Sequence, residues 1–313
     1  MKRLLVIILI IISAAAAAQE PTKNQKENAR TLKEAIALQN DGKLAESNQK
    51  LTDLYALHFM EDYVSWQLAN NYYRLGDIKK AERFAGEAMT GGSKYVLQAG
   101  IIKAMCLGIR NQTDEELQLL EKLALKFPNE AKANPTMHLL IASLNNDKQL
   151  YIHAFLAYYM YLFTNPVTYG KETIAAINDL MNRRNLNSII EEKTADDSKL
   201  TKEDSDLIWG LLFINELKTC ATDSESGLPD VDNFVDNSRA LLTSISESIE
   251  NNEGFYEEFY VDFYQKLLKA DMLDAFLYYC LADAYASDDI NDAIPMSKEK
   301  MTGFADWLEG VWK

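Results

Sequence analysis

Three histidines, three cysteines and one run of carboxylates are the side chains with the clearest potential for chemistry. His58, His138 and His153 are the only imidazoles in the chain. A zinc centre needs three or four ligands within tetrahedral reach, and neither H-E-x-x-H nor C-x-x-C occurs, so packing or surface roles are expected for all three. Cys106, Cys220 and Cys280 are odd in number and far apart, which is no disulfide framework. Cys106 and Cys280 lie in apolar stretches and read as small hydrophobes, with a Cys220–Cys280 bridge as the alternative. The run DSESGLPDVDN places Asp223, Glu225, Asp230 and Asp232 close together. Calcium takes six to eight oxygens around a tight turn, but the EF-hand spacing is absent and a solvated loop is expected. G-x-S-x-G and glycine-rich phosphate loops are absent too. These residues therefore predict no catalytic group, no metal and no cofactor.

The chain around them has 313 residues, 48% hydrophobic and 25% charged, which is globular composition. With 47 acidic and 32 basic side chains the net charge is −15, which argues against a nucleic-acid partner, since neutralising phosphates requires clustered Lys and Arg. The charge is unevenly spread. Residues 28–166 carry 15 basic and 15 acidic groups, and residues 167–313 carry 13 and 30. At the start, Lys2 and Arg3 precede an apolar run from Leu4 to Ile12, then Ser13 and alanines 14–18. This order predicts a secretory signal peptide over 1–18, cleaved near Ala18-Gln19, with a linker over 19–27. The protein would then be exported, periplasmic or extracellular. The alternative is an uncleaved anchor, but nine apolar residues span about 14 Å of a core about 30 Å thick. No later segment is long and apolar enough to span, so no integral membrane segment is expected after cleavage.

A 34-residue step relates Gly42 to Gly76, Leu44 to Ile78, Ser47 to Ala81 and Leu51 to Ala85. The second copy reads LANNYYRLGDIKKAERFAGEAM. Here the chain resembles the tetratricopeptide repeat family, on Leu68, Ala69, Tyr72, Gly76, Ala81, Ala85 and Ala88. Ser65 holds the family's usual tryptophan position, one place before Trp66. Four copies are expected at about 28–61, 62–95, 97–129 and 135–166. The third has Glu116, Leu120, Leu123 and Pro128 on the pattern, the fourth His138, Ile141, Ala142, Ala154, Tyr158, Tyr161 and Pro166. Both lack the turn glycine. The resemblance implies an all-α fold, a right-handed α-α superhelix of helical hairpins, each burying faces it cannot bury alone.

The resemblance also implies a concave groove lined by the first helices. Placed on the family pattern, its positions are Tyr63, Trp66, Asn70, Tyr73 and Arg74, then Ile101, Met105 and Ile109, then Ser143 and Asn146. Aromatic residues and arginine are frequent hot-spot types. The other reading is that Trp66 and Tyr73 pack against a neighbouring repeat or that the C-terminal half fills the groove. Asn70 fits the family's carboxylate clamp, but Trp66 stands where a lysine is expected.

Beyond residue 166 the pattern is helical and acidic. Ile174, Ile177, Leu180 and Met181 share one face, and Leu207, Ile208, Leu211, Leu212 and Ile214 make a second segment. Phe234, Leu241, Leu242, Ile245 and Ile249 make a third. Phe255, Phe259 and Phe263 form one i,i+4 row and Tyr256, Tyr260 and Tyr264 the next, with Glu257, Glu258 and Asp262 opposite. Residues 271–286 should be buried, and a degenerate repeat is expected at 256–289, departing at Asp262 and Lys266. Phe304, Trp307, Leu308, Val311 and Trp312 mark a last helix. Loops are expected over Glu191–Ser205 and Thr222–Asn233. Together these features predict a non-enzymatic protein-interaction scaffold holding a peptide or protein partner. A glycan- or nutrient-binding component of an envelope uptake system is the alternative.

Overall fold

A computed structural model describes residues 22–90, 92–183, 214, 217–249, 254–285 and 298–311. The signal peptide and its cleavage site, the segment Leu207–Leu212, the loop Glu191–Ser205 and Trp312 lie outside the described residues. Among the described residues the regular structure is helical, apart from one isolated bridge, Thr222 to Pro229. No helix in it is long and apolar enough to cross a membrane.

The chain divides into two compact units, Met1–Cys106 and Leu107–Lys313. The first holds α1 (Lys23–Asn40), α2 (Leu44–Ala56), α3 (Glu61–Arg74), α4 (Ile78–Ala88) and most of α5 (Val96–Ile109). Residues 23–27, expected as linker, are the first turns of α1. The reason is a capping box: Thr22 Oγ1 accepts from the Gln25 amide and Gln25 Oε1 accepts from the Thr22 amide, satisfying two orphan donors. Helices α1 and α2 pair, α3 and α4 pair, and α2 packs on α3. Leu51, Leu54, Val64, Leu68, Ala81 and Ala85 form the centre of the core. Ala69, Ala81 and Ala85 are fully buried, as close helix crossings require. Asn71, also fully buried, donates to Ser47 Oγ at 3.0 Å and Asn48 Oδ1 at 2.9 Å, tying α3 to α2.

The second unit holds α6 (Thr113–Lys126), α7 (Pro128–Lys132), α8 (Pro135–Asp147), α9 (Tyr151–Thr164), α10 (Gly170–Met181), α11 (Val231–Ser248), a π segment (Glu257–Val261), α12 (Asp262–Lys269), α13 (Leu273–Leu281) and α14 (Lys298–Val311). Its centre is α9, in which every residue from Tyr151 to Phe163 is buried, as expected of a helix apolar all round. Around it pack α8, α10, α13 and the π segment. The π segment widens the turn, so residues four apart stay on one face instead of drifting around it. Tyr256, Tyr260, Tyr264, Phe259 and Phe263 are accordingly all buried. Asp262 and Lys266 pair with each other at 2.7 Å towards solvent. Glu257, expected on the polar side, is buried instead, its carboxylate occupying the space where a side chain on Gly254 would stand. Cys220 and Cys280 are not bridged: all three cysteines are free thiols and buried.

One backbone motif closes six helices. The second residue after each helix has positive φ at Gly42, His58, Gly76, Asn111, Gln149 and Asp271. In every case its amide bonds the carbonyl three residues back, and the next amide bonds the carbonyl five residues back from itself: Gly42 to Gln39 and Lys43 to Leu38, through to Asp271 to Leu268 and Met272 to Leu267. This is the Schellman arrangement. The turns at Asn111 and Gln149 thus keep this closure without a glycine, and the hairpin α12–α13 has the same closure at Asp271. Gln149, at φ 63°, bears a strain that glycine would not. Gln149→Gly is expected to raise stability by about 1 kcal/mol. Asn111→Gly should gain less, because asparagine tolerates this conformation. Urea midpoints at unchanged slope check both.

Candidate functional site

The candidate face begins with α3. Val64, Leu68 and Asn71 point into the core, whereas Tyr63, Trp66, Asn70 and Tyr73 are half-buried and Arg74 is exposed. These five lie at helical spacing, so they form one stripe along α3. Asp62, in the first turn, accepts from the Tyr63 amide at 2.9 Å and from Ser93 Oγ at 3.1 Å. That second bond anchors the link in which Tyr95 stands. Tyr95 stacks on Trp66 with centroids 5.2 Å apart and planes 13° apart, and meets Tyr63 edge-on at 5.1 Å. Burial, with Tyr63 and Asp62 alongside, pushes the Tyr95 phenol up to about 12. Burial raises the Tyr63 phenol as well. Both are neutral at physiological pH.

Tyr63, Trp66, Tyr73 and Met105 also pack against the first unit's core. Their outer parts alone are accessible. Asn70 and Arg74 have no side-chain hydrogen bond or ion pair with any described residue. Of the other groove positions, Ile101 is buried and Ile109 is exposed. Asn146 and Ser143 belong to the second unit, Asn146 half-buried and Ser143 exposed on α8. Tyr95 escaped the sequence reading because it stands in the link between hairpins, outside the positions that the repeat pattern marks. Ser65 is buried and Trp66 is half-buried.

The imidazoles divide between surface and core. His58 is exposed beside Glu61, with Nδ1 2.8 Å from its carboxylate. His138 is fully buried. Its Nε2 lies 3.0 Å from the Lys132 carbonyl, which only accepts, so Nε2 carries the hydrogen and Nδ1 accepts from the Tyr260 hydroxyl at 3.1 Å. Burial pushes His138 down to about 4, so it is neutral at pH 7. His153 stacks on Tyr256 at 3.6 Å. The Tyr256 hydroxyl donates to Glu121 Oε1 at 2.9 Å and accepts from Asn145 Nδ2 at 2.7 Å. Burial holds both phenols far above their usual range. This network fixes the register of the aromatic helix against α6, α7 and α8, since buried polar groups are stable only when matched.

The carboxylates of the 223–232 run serve their own loop. Asp223 Oδ1 accepts from the amides of Glu225 and Ser226 and from Ser226 Oγ, and these bonds hold its carboxyl below the usual range. Asp230 Oδ1 accepts from the Asn233 amide at 3.0 Å and caps α11. One further carboxyl stands apart. Glu116 is buried on α6 and presses on Gly108, where a Cβ would come within 2.4 Å of it. Burial pushes it up to about 7.

A scan of family models, a search of curated proteins and a search of solved structures each returned no match to this chain.

Proposed function

We propose that the chain is an exported, non-enzymatic interaction scaffold of tetratricopeptide-like hairpins stacked as a right-handed superhelix, gripping a peptide or protein segment along α3. The observation that carries this is the stripe of Tyr63, Trp66, Asn70, Tyr73 and Arg74, half-buried to exposed on a helix whose opposite side is core. Aromatic residues preorganised by packing lose little freedom on binding. An amide and a guanidinium beside them supply the polar contacts that an extended or helical segment needs. Export rests on Lys2, Arg3 and the apolar run that follows them. The glycan-binding alternative draws on the same aromatics, but Tyr95 already covers one face of Trp66.

The test uses Asn70→Ala with Arg74→Glu, two side chains outside the core. Envelope proteins that co-purify with the full chain should fall at least tenfold in yield with this double variant, at unchanged circular dichroism. Equal recovery of the same proteins by both chains would defeat the proposal.

A further inference from the structure

A cleft of about 610 Å³ opens in the second unit between the 221–231 loop, the start of α10 and the end of the α13 segment. Its floor is apolar: Leu228, Pro229 and Tyr285 are buried there, and the Tyr285 hydroxyl donates to the Pro229 carbonyl at 2.8 Å, pinning floor to wall. Its rim carries Asp223, Asp230 and Asp283, all exposed. Among the described residues Lys171 is the one cation in the lining, and no described basic side chain forms an ion pair with any of the three aspartates. Asp223 and Asp230 spend one oxygen each on local amides, which fixes the carboxylates in place while their charge still faces solvent.

We infer that this cleft is a docking site for a basic peptide segment of a partner protein, an apolar side chain on the Leu228–Pro229–Tyr285 floor and flanking Lys or Arg on the aspartate rim. Two features choose this occupant. The volume lies within the 300–1,000 Å³ typical of binding clefts, and an apolar floor takes aliphatic carbon. The surplus of aspartates on the rim selects a cationic partner and repels an acidic one. The acidic excess of residues 167–313 supplies the wider field that steers such a segment in. This surface is separate from the α3 stripe, so either stands if the other fails.

The probe is a fluorescein-labelled peptide alternating lysine and leucine, with a glutamate-for-lysine peptide as control, titrated into the full chain at about 30 mM salt. Saturable binding of the lysine peptide alone is expected, weakening at least tenfold at about 300 mM salt, where the Debye length falls below about 8 Å. Asp223→Asn, Asp230→Asn and Asp283→Asn together keep the turn and cap oxygens but remove the rim charge. This triple variant should bind at least tenfold more weakly, whereas Asp41→Asn, Glu46→Gln and Asp53→Asn in the first unit should change nothing. Should the triple variant fail to fold, Asp283→Lys alone carries the comparison, with a several-fold loss expected. An environment-sensitive dye on Thr222→Cys, at the cleft edge, should respond to the lysine peptide. Absence of saturable binding, equal binding of the acidic peptide, unchanged affinity in the rim variants or a silent dye overturns the inference.

Discussion

Phe276→Ala is expected to destabilise the second unit by about 3–5 kcal/mol. Phe276 is fully buried and sits at the junction of four rings: Phe163 at 5.4 Å, Phe263 and Tyr264 at 5.8 Å, and Tyr159 at 6.1 Å. Those neighbours come from α9 and α12, so a truncated side chain leaves a hole that no single helix can close by moving. Helix α14 should suffer next, because Phe304 and Trp307 rest on Phe163 and Phe263. Urea unfolding followed by near-ultraviolet circular dichroism measures the loss, and hydrogen exchange should rise first in Lys298–Val311. Phe276→Leu, which retains most of the volume, should cost less than half as much. If Phe276→Ala costs less than about 1 kcal/mol, the ring cluster is not packed as described.

Glu116 supplies the second, through pH. Burial pushes its carboxyl in the folded chain up to about 7, against about 4.3 for a free glutamate. Between these values the folded state holds a proton that the unfolded chain has released, so stability falls as pH rises. The contribution is fully present below about 4.3 and is lost as pH climbs through about 7, a change of about 1–3 kcal/mol. Glu116→Gln retains the shape over Gly108 without the charge. The variant should match the parent near pH 4.5 and exceed it by about 1–3 kcal/mol at pH 8. Urea midpoints of both proteins across pH 4.5–8 decide the matter, and parallel profiles would exclude the buried carboxyl as their cause. Gly108→Ala requires the Glu116 carboxyl to shift, since the added methyl would meet it.

Much of the helical plan was legible in the chain because it depends on local physics. Gly42 and Gly76 announce their turns by type, since glycine alone takes a left-handed conformation without strain. His58, Asn111, Gln149 and Asp271 perform the same turn unannounced, because a strained residue can be held by the helices on either side. The aromatic rows at 255–264 were readable as a periodicity. Their joint burial was not, because it needs a π turn whose formation is decided by what the rows pack against.

The candidate residues divide the same way. Periodicity and the repeat resemblance pointed to Trp66, Asn70, Tyr73 and Arg74. That Tyr95 closes over Trp66 from an interhelical link required the folded first unit. The composition showed where the acidic charge lies, but a count of carboxylates says nothing of which of them share a rim. Asp283 is more than fifty residues from Asp230 in sequence, and the pinning of Pro229 by Tyr285 brings their segments together. In this chain the sequence by itself determined the helices, the two glycine turns between them and the division of charge, since each follows from residue type and short-range spacing. Tertiary structure alone decided which polar groups are buried, which aromatics remain reachable and where a cleft opens, since those depend on contacts between residues remote in sequence.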